Sequence, residues 1–249
     1  NSFCTLLAFA RGPRALGMAR DDPMWAVALT TIVSHVAVVP ALSMLLRRRW
    51  VFEFAVGGFC FLASFLYHMS ECVGDRFFLT ELQWHRLDNI GAIAVFGGLF
   101  VYLSDIPPDP RHPHHPALLH QLLQYAVLFL SIIAQEPDPW NEVYTVVPIA
   151  AFALLPVISH VAQGRWPRFV WRNAAIGFAL VVAGAFFFAL GLDDANDPFR
   201  AYHGLWHLLA GGGMWWLWQV VPYTSPHPLA RHVRPPAPAT KPVLRMAEL

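Results

Sequence analysis

Charge is scarce in this chain. Only 13% of its 249 residues are Asp, Glu, Lys or Arg, about half the share usual in a soluble domain. Much of the surface is therefore not built to face water. The few charges nearly cancel, with a formal net charge of +1. That balance lacks the basic footprint by which proteins hold nucleic acid, and no nucleic-acid partner is expected. Cysteine is also rare. Cys4, Cys60 and Cys72 are too few for a disulfide framework. Cys60 sits in an apolar run and reads as a small packed residue, while a Cys4–Cys72 bridge would need both on one oxidising face. Internal repeats and a cleavable signal peptide are missing. The chain opens on Asn1 instead of Met, which leaves room for a preceding signal or domain.

What the sequence has is apolar residues, 56% of the total, gathered into long runs. A membrane helix needs about 20 such residues to cross about 30 Å of hydrocarbon. Seven runs meet that need, at 24–46, 51–69, 87–104, 118–135, 144–162, 173–192 and 202–221. A soluble bundle would show polar faces at a 3.6-residue period, and Ile176 to Leu192 shows almost none. The expected fold class is all-α, an integral membrane bundle of seven transmembrane helices. Residues 1–23 form an extracellular or lumenal segment, 24–222 the transmembrane domain, and 223–249 a cytosolic tail. The Pro, Ala and Arg of that tail predict disorder.

Arginine sets the expected orientation. Seven crossings put Arg47–Arg49, Arg111, Arg165, Arg168, Arg172 and the tail's Arg231, Arg234, Lys241 and Arg245 on one side. The opposite loops hold only Arg76, Arg86 and Arg200. At the N-terminus Arg11, Arg14 and Arg20 are offset by Asp21 and Asp22. The N-terminus is thus placed outside and the C-terminus in the cytosol.

Ionisable residues inside membrane spans are costly, so each asks for a partner or a role. His203 and His207, four residues apart, share one helix face. They are either two packed imidazoles or a pair serving one metal ion. Ser64 and His68 share a face in the same way, and Asp88 opens the third span. Under the seven-span topology all five residues reach one outer boundary. Three histidines, His68, His203 and His207, suit Zn2+ and leave a fourth position for water. Zinc lowers the pKa of that water toward about 7. Asp88 then fits a general base. The Ser64 hydroxyl fits a donor to the water, to Asp88 or to a developing oxyanion, or a serine bonded back to its own helix.

Other polar positions rank lower. His85 falls just outside the third span, and Glu71 and Asn89 are placed to support the ligands from behind. His35 and His160, each beside a serine, read as packed. His112, His114 and His115 form a proline-broken cluster in a cytosolic loop, unsuited to a preformed site. Trp206, Trp215, Trp216 and Trp218 read as an interfacial, lipid-facing belt. Gly211–Gly213 allow a close helix approach or a bend.

Three stretches, taken in order, resemble the CREST superfamily: Ser64-Phe-Leu-Tyr-His68-Met-Ser-Glu71, Leu82-Gln-Trp-His-Arg-Leu-Asp88-Asn-Ile-Gly91 and Ala201-Tyr-His203-Gly-Leu-Trp-His207-Leu-Leu-Ala210. The nearest likeness is to its myomaker and transmembrane-protein-8 branch, over about residues 24 to 222. The resemblance implies a seven-helix bundle with zinc on His68, His203 and His207, completed by Asp88 and Ser64. Members with known activity hydrolyse lipid amides or esters, and the branch includes a phospholipase acting on GPI-anchored proteins. Myomaker itself promotes myoblast fusion. The chain departs from myomaker in keeping Ser64 and in having no cysteine in its tail.

Two functions follow as expectations. One is a zinc-dependent hydrolase of lipid ester or amide bonds at the outer leaflet, with membrane lipids and GPI-anchored proteins as partners. The other is a fusion or remodelling protein with a structural zinc. A seven-transmembrane receptor fits the expected orientation poorly, and a transporter would need paired broken helices. The expected location is the plasma membrane or the secretory pathway.

Overall fold

The computed structural model describes residues 22–73, 78–106, 115–193 and 195–221, and it is helical almost throughout. The first apolar run is not one continuous α-helix. It comprises α1 (Met24–Thr31), a 3-10 segment (Val33–Val38) and α2 (Val39–Arg47). Pro40 explains the break. It has no N–H for the carbonyl four residues earlier, and its ring crowds that carbonyl. The chain tightens to 3-10 geometry ahead of it, and the Val39 N–H bonds Val36 instead.

Next come α3 (Val51–Val73), α4 (Glu81–Leu103) and α5 (His115–Ala134). The fifth run is split into α6 (Val143–Phe152) and α7 (Leu154–Gln163), followed by α8 (Trp171–Leu190) and α9 (Ala201–Leu217). The α4 helix begins well before its apolar stretch because Thr80 and Gln83 form a reciprocal capping box. His85 and Asp88 are therefore both inside the helix, where the apolar run alone put His85 outside and Asp88 at the opening.

Among the described residues, five helical stretches are long and apolar enough to cross a membrane: Met24–Arg47, Val51–Cys72, Glu81–Leu103, Val143–Gln163 and Trp171–Leu190. Leu118–Ala134 is a shorter apolar helix. The outward faces are apolar too. Ile133, Val161, Val182 and Phe186 are 61% to 76% exposed, a pattern water would not tolerate across a whole surface. The architecture is that of a multi-pass membrane helical bundle.

The α4 helix is the most enclosed of these stretches. It packs along α3, α5 and α6, while α9 lies along α8 and against the 3-10 segment. Glycine permits the closest approaches. A Cβ at Gly204 would come within 2.5 Å of the Thr30 carbonyl oxygen, and one at Gly211 within 2.8 Å of the Ala37 backbone. A Cβ at Gly91 would lie 2.7 Å from the Cα of Cys60. Trp206 and Trp218 do not join the lipid-facing belt expected of the four tryptophans. Trp218 is buried against Trp50 and Tyr102, with ring centroids 6.1 and 5.3 Å away. Trp206 packs inward on Phe96 and Phe188.

Candidate metal centre

Four imidazoles converge where the end of α3 meets the start of α9 and the 3-10 segment. His68 is fully buried near the end of α3. His203 and His207 project from the first two turns of α9. The His68 ring lies 4.8 Å from His203 and 5.0 Å from His207, and the two α9 rings are 4.8 Å apart. His35 is the fourth, 4.1 Å from His207 and 5.6 Å from His68. Available ring nitrogens of His35, His68 and His207 all lie within 4.8 Å of one another. These three are close enough to bind a metal.

The partners of the rings fix which nitrogen faces the cluster. His68 donates from Nδ1 to Glu71 Oε2 at 2.7 Å. His35 donates from Nδ1 to the Thr31 carbonyl at 2.6 Å. His207 donates from Nδ1 to Ser34 Oγ at 3.2 Å and toward the Thr31 carbonyl at 3.3 Å. A carbonyl or carboxylate can only accept, so each of these Nδ1 atoms carries the proton. Each Nε2 is then a lone-pair donor, the state a metal ligand requires. His203 Nε2 sits 3.2 Å from His68 Nε2. Two nitrogens bound to one tetrahedral zinc at about 2.05 Å stand about 3.3 Å apart. The His68–His203 spacing is one that a single metal ion could bridge, although His203 does not join the close group of His35, His68 and His207.

Glu71 supports the centre from behind. Its Oε2 accepts from His68 Nδ1–H, while Oε1 accepts from the Tyr67 hydroxyl at 2.7 Å and lies 3.6 Å from Arg200. Such carboxylate–histidine pairs orient the ring and raise its basicity. We expect Glu71→Gln to weaken metal affinity roughly ten- to a hundredfold, measured by competition with a calibrated chelator. Asp197 plays a different part. Its buried carboxylate accepts the Tyr202 and His203 amides at 2.8 and 3.1 Å. It thereby caps the N-terminus of α9 and holds the His203 backbone.

Ser64 and Asp88 meet beside this cluster. The Ser64 hydroxyl adjoins the Asp88 carboxyl. Both line a cavity of about 510 Å³ that also reaches His35, His203 and His207. The cavity follows one face of α3, from Tyr67 and Ser64 through Cys60 and Val56 to Glu53. At 1.5 Å per residue that face is about 21 Å long. Near the site, His85 stacks on Trp140 at 4.0 Å.

All five sequence-predicted residues, Ser64, His68, Asp88, His203 and His207, are thus brought together. Glu71 stands behind His68 as expected, whereas Asn89 does not support the ligands. Its amide donates to Gln135 and to the Pro139 carbonyl, tying α4 to the loop after α5. His160 lies elsewhere, with Nε2 3.0 Å from the Leu103 carbonyl. His112 and His114, the side chain of His115, and Cys4 lie outside the described residues. Sequence reasoning assigned His35 to packing. Its one signal was the Thr31–His35 spacing beside Ser34, which repeats the Ser64–His68 spacing.

No curated protein matches the sequence. Residues 23–208 match a family described as "Protein of unknown function (DUF3522)". That match covers about three quarters of the chain, and the protein belongs to this family.

Proposed function

We propose that the protein is a zinc-dependent hydrolase of lipid ester or amide bonds, working at the outer leaflet. The observation that carries this reading is the meeting of Ser64 and Asp88 with the histidine cluster on one largely apolar cavity. In the proposed topology the helical stretches before and after α5, together with α5 and α9, make seven crossings. The N-terminus is outside, and the arginine-rich loops face the cytosol. The residues and their order resemble the CREST superfamily, whose active members hydrolyse lipids.

His68, His203 and His207 would hold the ion. A zinc ion there would supply Lewis acidity and a water molecule acidified toward neutrality. The Asp88 carboxylate takes a proton from the attacking water and returns it to the leaving oxygen or nitrogen. The Ser64 hydroxyl donates to Asp88 and holds it toward the cavity. An acyl chain lies along the α3 face between Ser64 and Val56, where apolar walls exclude water from it.

Lipid turnover by the purified protein in nanodiscs tests this, with products followed by mass spectrometry. Asp88→Asn should lower turnover by about 10²- to 10⁴-fold while zinc content stays unchanged. Equal turnover by both proteins would sink the hydrolase. The fusion or remodelling reading draws support from His35, since a fourth nitrogen suits a structural zinc. Under it, Asp88→Asn leaves cell mixing intact, and loss of His68 abolishes it.

A further inference from the structure

Among the four clustered imidazoles His35 has the least accounted-for environment. It is 4% exposed and lies within the first apolar run, among helices. Its Nδ1 is committed to the Thr31 carbonyl. Its Nε2 is buried and has no hydrogen-bond partner among the described residues. A buried polar nitrogen without a partner costs about 1 to 3 kcal/mol, so its persistence asks for a ligand. Ring nitrogens of His35, His68 and His207 fall within 4.8 Å of one another.

The backbone around His35 is arranged for this approach. Gly204 and Gly211 press α9 against Thr30 and Ala37, on either side of His35 in the chain. His207 is thereby brought to 4.1 Å from the His35 ring. The 3-10 turn carries His35 and ends just ahead of Pro40, whose missing N–H frees the Val36 carbonyl from an α-helical bond. The segment can therefore close on an ion without breaking a regular helix.

We propose that His35 is the fourth imidazole of the metal centre and closes it against water in the resting protein. This inference rests on the metal-centre reading but not on the hydrolytic one. With His68, His203 and His207 it completes a tetrahedral set of four nitrogens, so no ligand position remains for a water or a small anion. Hydrolysis at the same centre would then require the 3-10 segment to withdraw His35 first.

The test uses the full chain in detergent or nanodiscs, loaded with Co2+ as a visible probe in place of zinc. His35→Phe keeps an aromatic ring against Phe61 and Phe65, which flank His35 at 6.1 and 6.4 Å. His35→Gln serves as a second variant should the first fail to fold. In the wild type, azide should leave the cobalt bands unchanged, because no ligand position is open. In the variants azide should shift them, X-ray absorption should show an oxygen replacing one nitrogen, and a chelator should remove zinc at least roughly tenfold faster. An azide response that is the same in wild type and variants, with one metal bound per chain, overturns the closed site alone. A wild type that binds no metal overturns it together with the metal centre.

Discussion

Under the proposed zinc reading, a His68→Ala protein should purify with no zinc and the wild type with one ion per chain. His68 is the central imidazole of the cluster. Its Nε2 is 3.2 Å from that of His203, and its ring is within 5.6 Å of the other three imidazoles. It is also fully buried. Truncation removes the nitrogen and leaves the part-buried Glu71 carboxylate without one of its hydrogen-bond donors. That adds a penalty of about 1 to 3 kcal/mol or more to the lost ligation. Metal analysis of the purified protein reads the first effect. The thermal midpoint with and without added zinc reads the second, since an ion that binds only the folded chain raises it. His160→Ala is the control. That ring bonds the Leu103 carbonyl, away from the cluster, and its loss should leave zinc content unchanged.

The second large effect is expected at Gly204. A methyl group there would lie 2.5 Å from the Thr30 oxygen and 3.0 Å from the Thr30 carbonyl carbon. Both atoms are backbone, so no side chain can rotate to relieve the overlap, and α9 must move away from the first run. Gly204→Ala should therefore cost about 3 kcal/mol, well above an ordinary surface substitution. The displacement carries His203 and His207 with it, so metal affinity should fall as well. Gly212→Ala provides the contrast, because its Cβ would meet only Leu180 Cδ1 at an ordinary 3.9 Å. Thermal unfolding in one detergent, paired with chelator competition, separates the two substitutions. If Gly204→Ala matches Gly212→Ala in both, the contact between α9 and Thr30 does not position the site.

The helical stretches were legible because membrane-spanning helices write themselves as apolar runs, and every run expected from the sequence holds a helix. Their boundaries were less legible. Thr80 and Gln83 start α4 ahead of its apolar part through a cap, a polar device that hydropathy does not register. The site was legible where chemistry repeats at helical spacing, as in Ser64 with His68 and His203 with His207. His35 was missed because it stands alone in its run, and only the folded 3-10 turn shows which way its ring faces. A close helix approach or a bend was expected at Gly211–Gly213, and Gly211 and Gly213 make the close approach. That Gly204 makes the tighter contact depends on which face of α9 meets Thr30, a fact of tertiary structure. The inward turn of Trp218 was hidden for the same reason, since an aromatic near a helix end suits lipid and core alike.

The contact between His68 and His203 spans 135 residues of chain. During synthesis at about 5 to 20 residues per second, His203 follows His68 by roughly 7 to 27 seconds. For that interval His68 and Glu71 stand as an incomplete half-site while the intervening helices are made. The centre can close only when the last of these helices joins the first two. Bound metal would therefore mark a chain whose ends have met, and a molecule stalled before α9 would lack it. An ion held there would seal the end of assembly as much as it would serve the finished protein.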